Sequence, residues 1–255
     1  MLSVNSVSKS IGGNLLNENI SFAIPRGKLV CIMGPNGAGK STLLAMMSGE
    51  SKPTSGHVTW HGHDIHQTSA QELARQRAVL TQKNQISLGF SVTDIVMMGR
   101  LPWAESRETS EIIVHEIMDQ LALNHLKNRS IHSLSGGEAQ RVALARALCQ
   151  VHNQEKSYLL LDEPTAALDV SCSHDFLRAV KDRCLHGMTA CVVLHDFSLA
   201  LRYADQVAIL DEGRLVTLDA PVEAFSAKII SQVFGVEMNV TVAEDGRHYV
   251  SIEPQ

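Results

Sequence analysis

Gly34-Pro35-Asn36-Gly37-Ala38-Gly39-Lys40-Ser41 matches G-x-x-x-x-G-K-S at every fixed position. Glycines there allow a tight turn whose backbone N–H groups face anionic oxygens. The flanks agree: Leu29–Met33 is an apolar run of strand length, and Ser41–Met47, opening Ser41-Thr42, reads as a helix start. A helix start adds unpaired donors and partial positive charge. In that frame Lys40 reaches the β- and γ-phosphates of a nucleoside triphosphate, and the Ser41 hydroxyl ligates Mg²⁺. The plainer reading, a glycine-rich turn before an ordinary helix, loses because strand, loop and helix stand together.

Leu159-Leu160-Leu161-Asp162-Glu163 is a second buried-strand pattern, ending in two acids. In parallel α/β sheets the strands deliver their C-terminal residues to the ligand crevice. Asp162 suits a Mg²⁺ shell, which takes one or two carboxylates and keeps several waters. Glu163 is then free to accept a proton from water or to orient it in line with the γ-phosphate. Alone, two solvated acids at a strand end would be as good a reading; beside a complete phosphate loop they are not.

Leu134-Ser135-Gly136-Gly137-Glu138 precedes a helix with Ala139, Val142, Ala143 and Leu148 on one side. Bare backbone at a helix N-terminus is a second anion cradle. Ser135 and Glu138 also fit a capping box, and the two roles are compatible. One chain does not need two cradles around one γ-phosphate.

The run Leu134–Arg141, LSGGEAQR, resembles the signature of ABC-type ATPases, and the similarity extends from about Leu2 to about Val233. The resemblance implies ATP and Mg²⁺ as cofactors and a sandwich of two ATPs between two copies of the chain. ATP then meets Gly34, Pro35, Asn36, Gly37, Ala38, Gly39, Lys40, Ser41 and Thr42 of one copy. Ser135, Gly136, Gly137 and the D-loop Asp169 reach it from the other. Gln82, after Val79-Leu80-Thr81, resembles the Q-loop glutamine, which senses Mg²⁺ and water and couples to the membrane partner. It joins Ser41 and Asp162 as a metal ligand. His195, in Val192–Asp196, resembles the switch histidine that contacts the γ-phosphate, and the catalytic set is Glu163, His195 and Gln82. Two positions depart from the family: Ile11 stands where an aromatic residue commonly stacks on adenine, and Ala166 replaces the usual serine before the D-loop. Base stacking is worth roughly 1–3 kcal/mol, so Ile11 predicts weak base selectivity.

Phe90–Trp103, FSVTDIVMMGRLPW, is similar to the segment after the Q-loop in importers of iron–siderophores, haem and cobalamin. There a groove holds a coupling helix of the permease; Ile95, Val96 and Met98 suit such a groove and also the subdomain core. Gln71–Val79, the extra residues Val151–Ser157 and Ala190–Asp196 resemble the haemin-importer branch most. The resemblance implies an integral membrane permease dimer as partner and, indirectly, an extracytoplasmic substrate-binding protein. It implies a peripheral place on the cytoplasmic face of the inner membrane. Ferric siderophore and cobalamin are the rival cargoes, and a soluble iron–sulfur-assembly ATPase is the rival class.

The elements that must position these residues form an α/β fold: a P-loop NTPase core, a small antiparallel β-subdomain and an inserted helical subdomain. Core strands are expected near Leu29–Met33, Ala78–Thr81, Tyr158–Asp162, Ala190–Leu194 and Val207–Leu210, and subdomain strands near Leu2–Val7, Ile20–Ile24 and His57–Trp60. Ile113, Ile117, Leu121 and Leu123 have roughly helical spacing. Asp211–Arg214 turns a hairpin, Pro221–Phe234 reads as a helix, and Val236–Ile252 as a last hairpin about Asp245-Gly246. One domain is expected over 255 residues: a nucleotide core at about 1–82 and 146–235, a helical subdomain at about 83–145 and a hairpin at about 236–255. A net charge of −5 argues against nucleic acid as a partner. No stretch reaches the roughly 18 apolar residues of a membrane span, and Met1–Val7 lacks the basic start of a signal peptide. The five cysteines form no C-x-x-C pair. His57, His61, His63 and His66 cluster; a metal or haem contact is one reading, and an exposed strand and turn the plainer one.

Overall fold

The computed structural model describes residues 1–81, 89–152, 154, 156–242 and 248–254. A six-stranded sheet forms the centre, from β3 (Leu29–Met33), β6 (Arg77–Leu80), β7 (Tyr158–Asp162), β8 (Thr189–Val193), β9 (Gln206–Asp211) and β10 (Arg214–Asp219), in the order β10-β9-β3-β8-β7-β6. Every pairing from β9 to β6 is parallel; only β10 runs antiparallel, returning from β9. In β3 and β8 every residue is buried, because both faces of the sheet are covered. Leu29, Cys31 and Met33 enter one core while Val30 and Ile32 enter the other, the period of two that a strand imposes.

The first core packs α3 (Val92–Met97), α4 (Arg107–Gln120), α5 (Gly136–Gln150) and α6 (Val170–Leu185) on one face. The second contains α1 (Lys40–Ser48) and a four-stranded sheet, β2-β1-β4-β5, of β1 (Leu2–Ile11), β2 (Asn14–Ile24), β4 (Ser55–Trp60) and β5 (His63–Asp64). β1 and β2 run longer than the sequence pattern predicts. Gly12 and Gly13, at φ +58° and +85°, join them in a tight turn of the hand that continues strand twist. The helix α2 (Ala70–Gln76), capped by Ser69, leads straight into β6.

The helix expected over Pro221–Phe234 is two helices, α8 (Pro221–Ala224) and α9 (Ala227–Phe234). Phe225 between them is fully buried with its ring 5.3 Å from that of Phe197, and extended Ser226 restarts the helix. Phe197 opens α7 (Phe197–Tyr203). The last hairpin is β11 (Val236–Val242) with β12 (His248–Pro254); its tip, Asp245-Gly246, lies outside the described residues. In the helical stretch Ile113 and Ile117 are buried in α4, whereas Leu121 caps it and Leu123 follows it. No helix among the described residues is long and apolar enough to cross a membrane.

Candidate functional site

Parallel pairing brings the ends of β3, β8, β7 and β6 to one edge of the central sheet. From that edge leave the loop at Gly34, His195 after β8, and Asp162-Glu163 at the end of β7. The loop needs its glycines. A Cβ on Gly34, at φ +151°, would lie 2.1 Å from the Leu210 carbonyl oxygen. One on Gly39, at φ +89°, would lie 2.5 Å from the Leu16 oxygen and 2.4 Å from Asn17 Nδ2. Asn17 is fully buried and donates to the Gly39 carbonyl at 3.2 Å. Sequence reasoning missed it, because a lone asparagine in a strand carries no motif.

Gly39 gives α1 no side-chain cap, so the first N–H groups of the helix remain donors for an anion. Lys40 is buried, and its ammonium donates to the carbonyls of Gly34 (2.9 Å) and Pro35 (2.8 Å). Burial pushes the lysine below its ordinary pKa, against the pull of Glu163 and Asp162. The Ser41 hydroxyl donates to Asp162 Oδ1 at 3.3 Å, across 121 residues of sequence. Burial raises the Asp162 carboxyl; the Ser41 hydrogen bond opposes this, and Glu163 adds to it. A hydroxyl and a carboxylate brought together under an uncapped helix start are the hard oxygen donors that suit Mg²⁺.

Glu163 adopts φ +47°, in the left-handed region, and its Oε1 accepts a hydrogen bond from His195 Nε2 at 2.8 Å. That bond puts a proton on Nε2, because an ionised carboxylate only accepts. The two side chains line a cavity of about 440 Å³ with Thr165, Leu168, His174 and Asp196. Gln82 lies outside the described residues.

Ser135, Gly136 and Gly137 lie at the N-terminal end of α5. The Ser135 side chain accepts the Glu138 N–H, and the Glu138 carboxylate accepts the Ser135 N–H at 2.7 Å and its hydroxyl at 2.9 Å. Those bonds hold the Glu138 carboxyl below its ordinary pKa. The bare glycines pack on the start of α6: a Cβ on Gly136 would be 3.4 Å from the Ala167 oxygen, and one on Gly137 3.1 Å from Cys172 Sγ. Asp169 caps α6 by accepting the Cys172 N–H at 2.8 Å, which lowers its pKa. Ser135, Gly136 and Asp169 are exposed. Among the described residues no hydrogen bond or ion pair joins Ser135–Gly137 to Gly34–Thr42. The two glycine-bearing helix starts, at α1 and at α5, therefore stand apart.

Ile11, at the end of β1, is 57% exposed. Of the clustered histidines, His61 occupies the β4–β5 turn and His63 lies in β5. Both line a cleft of about 670 Å³ with Trp60, Asp64, Glu72 and Lys156. No group of three or more His, Cys, Asp or Glu among the described residues is arranged to hold a metal.

A glycine loop between a parallel strand and a helix, with a carboxylate pair on a strand of the same edge, defines a P-loop nucleoside triphosphatase. The chain belongs to the ABC transporter family, whose model matches residues 17–166; it is an ATPase coupled to transport. It is 40% identical over 242 residues to the hemin import ATP-binding protein HmuV of Thermobifida fusca (strain YX), covering 94% of this chain and 84% of that protein. It is also 40% identical over 241 residues to the protein of the same name from Pseudomonas entomophila (strain L48), covering 94% of each. In fold it matches an inward-facing metal-chelate type ABC transporter with a TM-score of 0.83 at 24% identity, over 100% of this chain and 97% of the other. A dimeric ATP-binding cassette bound to ADP and Pi in a post-hydrolysis state matches at 0.75 and 28% identity, over 87% of this chain and 99% of the other.

Proposed function

We propose that this chain is the ATP-hydrolysing subunit that powers haem import through a membrane permease. The observation that carries the cargo is the 40% identity, along 94% of the chain, to proteins named for hemin import. In this reading a nucleotide core (about 1–82 and 146–235) carries an inserted helical subdomain (about 83–145) and a C-terminal hairpin (about 236–255). The backbone of Gly34–Gly39, the start of α1 and Lys40 bind the phosphates of ATP. Ser41, Asp162 and Gln82 would hold Mg²⁺, which supplies neutralisation of charge on the phosphate oxygens. Glu163 accepts the proton of the attacking water or orients it, and His195 steadies the carboxylate and the γ-phosphate.

A second copy closes on the first, so that Ser135–Gly137 and Asp169 of each complete the ATP site of the other. The separation of the two glycine-bearing helix starts in one chain supports this. Closure moves a permease dimer held against the helical subdomain, and a substrate-binding protein outside the membrane delivers the cargo. The chain stands at the cytoplasmic face of the inner membrane, held there by the permease, and nucleic acid is no partner.

The test is growth of a source strain lacking this protein on haemin or on a ferric siderophore as the only iron. The strain is complemented with wild type or Glu163→Gln. Loss on haemin alone, rescued only by wild type, is the expected result. Loss on the siderophore alone keeps the importer and replaces the cargo. No loss on either overturns iron-source import and leaves cobalamin uptake or soluble iron–sulfur assembly.

A further inference from the structure

Far along α5 from Ser135, a compact knot ties the helix to two other elements. Arg100 is only 5% exposed; its guanidinium donates to the Cys149 carbonyl at 2.5 Å and grips Glu105 through both oxygens, at 2.8 and 2.7 Å. Glu105 also accepts the Ser110 hydroxyl at 2.6 Å. Trp103 Nε1 donates to the Gln150 carbonyl at 2.9 Å. Cys149 and Gln150 end α5, where helix carbonyls lack intrahelical donors. Two residues of the segment between α3 and α4 supply those donors.

The same indole is held from the nucleotide core. The Arg75 guanidinium lies 5.3 Å from the Trp103 ring centroid and that of Arg100 lies 4.8 Å from it. Arg75, in α2, also donates to the Pro102 carbonyl at 2.9 Å. The Gln150 amide closes the knot by donating to the carbonyls of Ala74 and Arg77, both at 2.8 Å, where α2 passes into β6. Gly99 lets the backbones approach: a Cβ there would lie 2.3 Å from the Arg146 oxygen in α5.

We propose that Arg75, Trp103 and Arg100 are positioning residues for ATP-driven closure: they fix the tilt of α5, and hence the reach of Ser135–Gly137, relative to β6. The inference rests on the reading that Ser135–Gly137 meets ATP held by a second copy. None of the three touches the phosphate site. Their leverage comes from length: α5 runs about 20 Å, so a tilt of roughly 3° at its fastened end moves its start by about 1 Å. A displacement of about 1 Å at a reacting site can cost about 10²-fold.

The test uses the full chain in a Glu163→Gln background, in which bound ATP persists. Two quantities are measured for each variant: affinity of the monomer for a fluorescent ATP analogue, and ATP-driven dimerisation by sedimentation. Arg75→Ala is expected to weaken dimerisation about fivefold to tenfold, in line with one partly buried cation–π contact, and to leave monomer affinity within about twofold. Trp103→Phe keeps the ring face and should recover most of the dimerisation that Trp103→Ala loses. Arg75 is half-buried at the edge of the knot, so its variant carries the test if Trp103→Ala fails to fold. Dimerisation of folded Arg75→Ala equal to the parent overturns the proposal. So does an equal loss of monomer affinity, which would mark a general structural role. If the parent itself fails to dimerise with ATP, the two-copy reading falls first and the joint's role with it.

Discussion

Glu163 holds a backbone conformation that costs an L-residue about 1–2 kcal/mol, and it does so at the end of β7 with its carboxylate on His195. Strain of that kind persists only where the surroundings enforce it, and Glu163 directly follows the largely buried β7. Glu163→Ala and Glu163→Gly both remove the carboxylate, and each should lower ATP turnover by about 10²–10⁴-fold, the usual weight of a general base. The backbone separates them. Glycine relieves the strain and alanine does not, so urea unfolding should find the glycine variant more stable by about 1 kcal/mol. Equal stabilities would dismiss the strain, and turnover within about tenfold of wild type would dismiss the base. Ile11 belongs at this scale as well. Exposed and aliphatic, it offers adenine no aromatic face, so ATP and GTP should be hydrolysed at rates within about tenfold of each other. A strict preference for ATP in steady-state assays would place base recognition elsewhere.

Among the elements, the sheet edge depends on how β3 is anchored at its other end. Asp205, ahead of β9, accepts the Leu29 N–H at 2.8 Å and pairs with Lys181 of α6 at 2.6 Å and Lys28 at 3.3 Å. Burial alone would raise this carboxyl; the hydrogen bond from Leu29 and the pairing with Lys181 outweigh it and hold the pKa below the ordinary value. A depressed folded pKa contributes stability above the unfolded value, about 3.9, that is lost as pH falls through the folded one. Asp205→Ala should therefore cost about 1–3 kcal/mol at pH 7 and progressively less below about pH 4. A cost that is the same at pH 7 and at pH 3 would refute the assignment. Elements of this kind differ in how far they can be read in advance. β3, β7 and β8 stand out in the sequence because burial on both faces makes them continuous apolar runs. The break between α8 and α9 does not, since Phe225 fits a helical pattern and its packing against Phe197 comes from a distant part of the chain. The phosphate loop, Asp162-Glu163 and His195 are legible because contiguous residues or strand ends carry them. Asn17 and the knot of Arg75, Trp103 and Gln150 are not: their contacts join positions 22 to 76 residues apart, none of them marked by a motif.

For the whole molecule, the decisive fact is that the glycine loop Gly34–Thr42 and the helix start at Ser135–Gly137 stand apart, with no hydrogen bond or ion pair between them among the described residues. A closed two-fold arrangement pairs the first surface of one copy with the second of the other, twice over. This makes a prediction about mixtures. In a Glu163→Gln background, Lys40→Ala removes the cation that the proposed reading sets on the phosphates, and Ser135→Glu places a carboxylate where that reading has the Ser135–Gly137 cradle meet an anion. Alone, neither variant can build a complete site in a homodimer, so neither should dimerise with ATP. In a heterodimer the intact loop of the Ser135→Glu chain meets the intact cradle of the Lys40→Ala chain, and one whole site results. ATP-dependent dimers should therefore appear only on mixing, as an additional sedimenting species of twice the monomer mass. If each cradle instead served the phosphate loop of its own chain, mixing would restore nothing, because every chain in the mixture would keep its own defect.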